Sequence, residues 1–267
     1  MYKLVAIDID GTLVNDNKEL TQKTINAIKE AKENDVKIVL SSARAFVKIR
    51  DYLKELNLIE ENQYTITFNG AVVVENKSEK VLFSNEFTSE EIYELIDISR
   101  KLYTNIFLYT MNSAYAEEVP SIIKDSKNFK NTKIENVKFS DINFRNNAIY
   151  KILFIDDYDK ILKLRKQLPQ RLFQKYEITS SIPECIEFVN KGITKSNALN
   201  FICEKCNVNN TEVIAIGDGD NDLQMINFAG LGVAMGNATT YLKEQSDYVT
   251  LSNNEDGVAK VIEEFIL

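Results

Sequence analysis

Four short segments hold the residues whose types and spacing could do chemistry together. The first is Asp8-Ile9-Asp10-Gly11-Thr12, two carboxylates at i and i+2 closing an apolar run. Such a pair at a strand end, followed by glycine, can project into one crevice, although an isolated DxD is also an ordinary polar turn. The second is Ser41-Ser42-Ala43-Arg44. A hydroxyl there can donate to a phosphoryl oxygen beside helix N–H groups, while in isolation an N-cap serine is the simpler reading. The third, Gly192-Ile193-Thr194-Lys195, puts a lysine at a helix start, where the macrodipole disfavours a cation. Anion binding would explain it, and Lys191 competes for the same role. The fourth, Gly217-Asp218-Gly219-Asp220-Asn221-Asp222, crowds three acids into five residues, which repel unless a cation or hydrogen bonds offset them. A hard, oxygen-ligated ion such as Mg²⁺ fits. A calcium loop of the EF-hand kind would need a bidentate Glu at its twelfth position, and Ala229 stands there.

Composition narrows the chemistry further. The chain has no histidine, so Ser-His-Asp hydrolysis, histidine-ligated zinc and imidazole shuttling are excluded. Acid–base work near neutral pH falls to carboxylates, Lys, Tyr or Cys. Cys203 and Cys206 have CxxC spacing but no second pair, and they fall on the apolar face of a helix with Leu199 and Ile202. Three cysteines are too few for a disulfide framework. A net charge of −8 with scattered acids argues against a nucleic-acid partner. An acidic protein that handles phosphate must concentrate positive charge locally, from a metal, a lysine or helix N-termini. No apolar stretch approaches the ~20 residues of a membrane span. The N-terminus enters a strand-like run without a leader, so cytoplasmic residence is expected.

The elements that must position these residues alternate. Apolar runs at 4–9 and 36–40 read as buried parallel strands, with helices at 21–33 and 46–56 between and after them. The rhythm returns with strands at 213–216, 231–235 and 248–251 and helices at 196–206, 222–228, 240–245 and 257–265. The middle is richer in strands: a hairpin at 64–68 and 71–75, then strands at 105–109, 150–155, 176–180 and 185–189. Helices are expected at 92–102, behind a Thr88–Glu91 capping box, and at 160–168. Residues 125–147 carry no clear assignment. The fold class expected is α/β, with a doubly wound, Rossmann-like parallel-sheet core from residues 1–84 and 191–267. An α+β cap domain, residues 85–190, is inserted in it. Every unusual polar segment then falls at the C-terminal edge of the core strands, where open α/β sheets bind ligands.

In their order, Asp8-Ile-Asp-Gly-Thr-Leu13, Ser42, Lys195 and Gly217-Asp-Gly-Asp-Asn-Asp222 resemble the four motifs of the haloacid dehalogenase (HAD) superfamily. The long insertion, Asn69-Gly70-Ala71 and Gly192-Ile-Thr-Lys195 look like its Cof-type phosphatase branch with a class IIB cap. That branch commonly shows Thr-Gly-Arg where this chain has Ser42-Ala43-Arg44; serine keeps the hydroxyl, and alanine alters how closely backbone can approach a phosphate.

The resemblance implies a Mg²⁺-dependent phosphomonoesterase of small metabolites, such as sugar phosphates, pyridoxal phosphate or flavin mononucleotide. Asp8 would be the nucleophile and Asp10 the acid and base, with a carboxyl poised near neutral pH. Ser42 and Lys195 would hold phosphoryl oxygens. Mg²⁺ would be held by Asp8, Asp10 (through its backbone carbonyl), Asp218 and, directly or from behind, Asp222. Arg44, Asn69, Gly70 and Asn221 would line the substrate side. A phosphomutase, or a non-enzymatic relative that senses a phosphorylated ligand, are the alternatives. A receiver-type signalling domain is disfavoured by length and by the insertion.

Overall fold

The computed structural model describes residues 1–124, 132–180 and 182–267. They form two compact units, Met1–Phe83 with Thr194–Leu267, and Ser84–Ile193.

Strand β1, Leu4–Asp8, is buried at every position, as its unbroken apolar run requires of a strand covered on both faces. It pairs in parallel with β2, Lys37–Ser41, in a register that sets Asp8 beside Ser41. Between them α1, Gln22–Glu33, buries Ala27, Ile28 and Ala31, and the Thr21 hydroxyl caps it by accepting from the Thr24 N–H. The helix expected at 46–56 is divided into a 3₁₀ turn, Phe46–Lys48, and α2, Arg50–Glu55; tight first turns of this kind are frequent at helix starts. β3, Tyr64–Thr67, and β4, Val72–Glu75, form the antiparallel hairpin. Their connection is not a simple turn. Phe68, Asn69 and Gly70 have φ of 51°, 56° and 102° in succession. The conformation lets the Phe68 and Asn69 N–H groups donate to the carbonyls of Arg44 and Ser42. A short, half-exposed β5, Val81–Ser84, follows.

In the second unit, α3, Ser89–Lys101, begins at the expected capping box, the Thr88 N–H donating to Glu91 Oε2 at 2.8 Å and the Glu91 N–H to the Thr88 hydroxyl at 3.3 Å. Strands β6 (Asn105–Tyr109) and β7 (Ala114–Ala116) follow, then α4 (Ser121–Lys124) and β8 (Ile134–Asn136). The unit is completed by β9 (Lys151–Ile155), α5 (Tyr158–Gln167), α6 (Gln170–Lys175), β10 (Tyr176–Thr179) and β11 (Cys185–Asn190). The sheet order is β10-β11-β9-β6-β7-β8. Of the segment left unassigned, residues 125–131 lie outside the described residues, and β8 lies in the rest. Alternation along the strands sends Ile106, Leu108, Ile152, Phe154, Ile186 and Phe188 into one core with the helices. The other side carries a buried ion pair, Lys151 Nζ to Glu187 Oε2 at 3.2 Å, with Lys151 over the ring of Tyr109.

The chain then returns through α7, Lys195–Cys206, which buries Leu199, Ile202 and Cys203. After β12 (Val213–Gly217) come α8 (Leu223–Phe228), β13 (Leu231–Ala234), α9 (Thr240–Glu244), β14 (Tyr248–Val249) and α10 (Gly257–Phe265). The strands of this unit join one eight-stranded sheet, β14-β13-β12-β1-β2-β3-β4-β5, parallel from β14 to β3. Among the described residues no helix is long and apolar enough to cross a membrane.

Candidate active site

Strands β12, β1 and β2 are neighbours, so the loops after them share the C-terminal edge where open α/β sheets hold ligands. Asp8 ends β1 and is 5% exposed. Lys195 is the first residue of α7, yet its side chain is fully buried. Its ammonium donates to Asp8 Oδ1 at 2.5 Å and to Asp222 Oδ1 at 2.6 Å. The competing Lys191 instead donates to the Phe173 carbonyl. Asp222 also gathers its own loop, its Oδ2 accepting from the N–H groups of Asp218 and Gly219 at 3.1 and 3.0 Å. Asp218 Oδ1 accepts from the Thr12 hydroxyl at 2.9 Å. Gly11, at φ +81°, leaves room for that carboxylate: a Cβ there would come within 2.3 Å of Asp218 Oδ2.

Carboxylate oxygens of Asp8, Asp218 and Asp222 lie within 4.8 Å of one another. One lysine faces three acids, and the imbalance shows in the proton affinities of Asp8 and Asp218. Burial pushes the Asp8 carboxyl well above its usual range; Lys195 pulls it back, and Asp222 and Asp218 add to the rise. Burial likewise raises Asp218, to about 6, against the Thr12 hydrogen bond and with the help of Asp222. Burial works against the charged form of Lys195 as well, but Asp222 and Asp8 outweigh it and hold the ammonium above its ordinary value. The second oxygens of Asp8 and Asp218 accept from no donor among the described residues. A hard divalent cation, which prefers a few carboxylate oxygens and keeps waters, fits this donor set.

The sign of the pH dependence follows. Without metal, a carboxyl raised to about 6 binds more protons folded than unfolded, so its share of stability falls as pH rises from about 4 through 6. Protons and a cation compete for the same oxygen, so cation affinity should weaken as pH falls below about 6. Thermal melts in EDTA at pH 5 and pH 7, with and without added Mg²⁺, check this. The metal-induced rise in Tm should be larger at pH 7; an equal rise at both would exclude Asp218 as a ligand.

Asp10 departs from expectation. Its side chain turns to cations, accepting from Arg44 Nε at 2.7 Å, Arg44 Nη2 at 2.5 Å and Lys18 Nζ at 2.8 Å. Burial alone would raise its carboxyl, but Arg44 and then Lys18 outweigh it and hold it below the ordinary range. The carboxyl poised near neutrality that the sequence suggested is therefore not what the free protein holds. Ser42 is buried, and its Oγ accepts from the Arg44 N–H at 3.1 Å. Asn69 Oδ1 accepts from Asn221 Nδ2 at 3.1 Å, joining the hairpin connection to the loop after β12. Gly70 is buried and serves contact between elements: a Cβ there would lie 2.1 Å from the Thr194 carbonyl, just before α7. Thr12, Lys18, Tyr52 and Asn237, which donates to the Gly11 carbonyl, also belong to this neighbourhood. Sequence reading assigned them no role, since hydroxyls, lysines and asparagines are common in surface turns.

The sequence profile of the haloacid dehalogenase-like hydrolases matches residues 5–262. A 5-amino-6-(5-phospho-D-ribitylamino)uracil phosphatase of Bacillus subtilis (strain 168), YcsE, is 35% identical over 99% of this chain and 96% of its own. Among solved structures, a haloacid dehalogenase-like hydrolase from Bacteroides thetaiotaomicron superposes with a TM-score of 0.89 at 32% identity, covering 98% of this chain and 99% of that one. TM0651 from Thermotoga maritima gives 0.87 at 31%, covering 99% and 98%. With the α/β sheet and the clustered acids already in view, the chain belongs to the haloacid dehalogenase-like hydrolases. Within that family it is a phosphatase.

Proposed function

We propose that this chain is a Mg²⁺-dependent phosphomonoesterase, acting in the cytoplasm on small phosphorylated metabolites through a phospho-aspartate on Asp8. The observation that carries the reading is the buried Lys195 ammonium bridging Asp8 and Asp222 beside Asp218. A buried lysine shared by two carboxylates beside a third supports a site built to hold an anionic phosphoryl group and a cation.

In the first step an Asp8 oxygen attacks phosphorus, the P–O ester bond breaks, and Asp10 gives its proton to the departing alkoxide. In the second, Asp10 takes a proton from water, whose oxygen attacks phosphorus, releasing inorganic phosphate and the Asp8 carboxylate. The low proton affinity of Asp10 in the free protein keeps its carboxylate ionised but makes it a weak base. A phosphate dianion brought close raises that affinity, as any added negative charge does, and so prepares the acid role. Ser42 and Lys195 hold the phosphoryl oxygens, and Arg44, Asn69 and Asn221 face the rest of the substrate. Bound by Asp8, Asp218 and the Asp10 carbonyl, with Asp222 in support, Mg²⁺ would offset the repulsion between anionic nucleophile and anionic phosphate. Residues 85–190 form the inserted cap domain of this reading, and residues 1–84 and 191–267 its catalytic core.

Phosphate release from sugar phosphates, pyridoxal phosphate, flavin mononucleotide and 5-amino-6-(5-phospho-D-ribitylamino)uracil, with Mg²⁺ and with excess EDTA, tests the reading. Release that requires metal is expected. Folded, Mg²⁺-loaded protein that releases phosphate from none of them would overturn it.

A further inference from the structure

Asp10, Arg44, Tyr52 and Lys18 close a ring. Arg44 grips both Asp10 oxygens, and Lys18 Nζ reaches Asp10 Oδ1 at 2.8 Å. Tyr52, on α2, completes the circuit: its hydroxyl donates to the Lys18 carbonyl at 3.1 Å and accepts from Arg44 Nη1 at 3.4 Å. The Arg44 guanidinium lies 5.5 Å from the Tyr52 ring centroid.

The turn that presents Lys18 is built for one conformation. Lys18 itself is left-handed, φ +65°, which a lysine adopts only at some cost. Asn15 Oδ1 accepts from the N–H groups of Asn17 and Glu19, and the Asn15 N–H donates to the Glu19 carbonyl. From outside, Asn253 Nδ2 donates to the Val14 carbonyl and to Asp16 Oδ1, and Asn254 Nδ2 to Asp16 Oδ2. Lys18 is 54% exposed, and a surface ion pair of this kind contributes little to folding. Stability alone gives little reason for a strained turn, fastened on both sides, that ends in such a pair.

We infer that Lys18 and Tyr52 are positioning residues for Asp10: with Arg44 they fix the direction of its carboxylate toward the leaving oxygen. This rests on the proposed role of Asp10 as proton donor. An alkyl ester leaves as a strongly basic alkoxide and needs that proton, whereas p-nitrophenolate is a stable anion and does not. Misdirecting a proton donor should therefore slow the first step selectively for alkyl esters, by roughly 10–100-fold, the scale set by ångström misplacements, whereas hydrolysis of the phospho-aspartate is common to both substrates.

The test compares glucose 6-phosphate, or whichever alkyl ester of the panel turns over fastest, with p-nitrophenyl phosphate. In single-turnover release of the alcohol, which reads only phosphoryl transfer to Asp8, Lys18→Ala and Tyr52→Phe should slow the alkyl ester at least about tenfold, with Tm little changed and release of p-nitrophenolate within about threefold of wild type. Lys18→Arg should restore most of the loss. Asp10→Asn is the control. If it shows no leaving-group selectivity, the acid assignment falls and the inference with it. If Asp10→Asn is selective while both ring variants keep wild-type ratios, or speed the alkyl ester, the inference alone is overturned.

Discussion

Asp8→Asn is expected to abolish phosphate release, by at least about 10⁴-fold, as loss of a covalent nucleophile does elsewhere. The fold should survive, and the reason is electrostatic. The carboxyl is raised by burial, so holding it ionised at neutral pH counts against the folded state without metal. An asparagine keeps an oxygen for Lys195 while leaving Asp222 as the ammonium's counter-charge. Metal-free Asp8→Asn should therefore melt at or above the wild-type Tm at pH 7 while releasing no phosphate. Full activity in that variant would remove Asp8 from the role of nucleophile.

Lys195→Met has the opposite signature, because both function and stability should fall. The methionine fills similar volume but leaves Asp8 and Asp222 facing each other in the core with no cation. Removing one partner of a buried ion pair destabilises by about 3–5 kcal/mol. Loss of a positive group against the transferring phosphoryl should lower kcat by a further ~10²–10³-fold. The lysine is held charged above its ordinary value, so its contribution persists throughout the neutral range and is lost only in strong base. The deficit should shrink as pH falls, because a proton on the raised Asp8 carboxyl eases the repulsion. Melts of both proteins in EDTA at pH 5 and pH 8 measure this. Coincident melting at pH 8 would mean that the ion pair does not hold the site together.

The two predictions stand on residues that were legible because their types alone were anomalous. A lysine at a helix start and three acids in five residues are poor choices for folding, and the structure gathers the lysine and two of those acids, Asp218 and Asp222, around Asp8, leaving Asp220 exposed. The central strands were equally plain, since β1 and β12 are unbroken apolar runs. What escaped was set by conformation rather than composition. Strands β7 and β8 have three residues each, too few to show a period. The Phe68–Gly70 connection looked like a simple turn, but pairing with the Ser42 and Arg44 carbonyls drives it left-handed. The surroundings of Asp10 were misjudged because its partners come from a strained turn and from the end of another strand, neither of which alternation of residue types can place.

Strand β1 takes one neighbour at Lys37 and the other at Val213, and this has a consequence for biosynthesis. At ~5–20 residues per second, a ribosome needs roughly ten to forty seconds to deliver the second neighbour after the first. Throughout that interval this strand, buried at every position in the finished fold, has an unpaired edge, a template for pairing with other chains. The inserted unit, which has its own hydrophobic core, can fold during the delay. The nascent chain would then carry Asp8 without Lys195 or Asp218, and so would remain inert until its last fifth emerged. Slow translation or a scarcity of chaperones should therefore reduce the yield of soluble protein before it alters the activity of the molecules that finish.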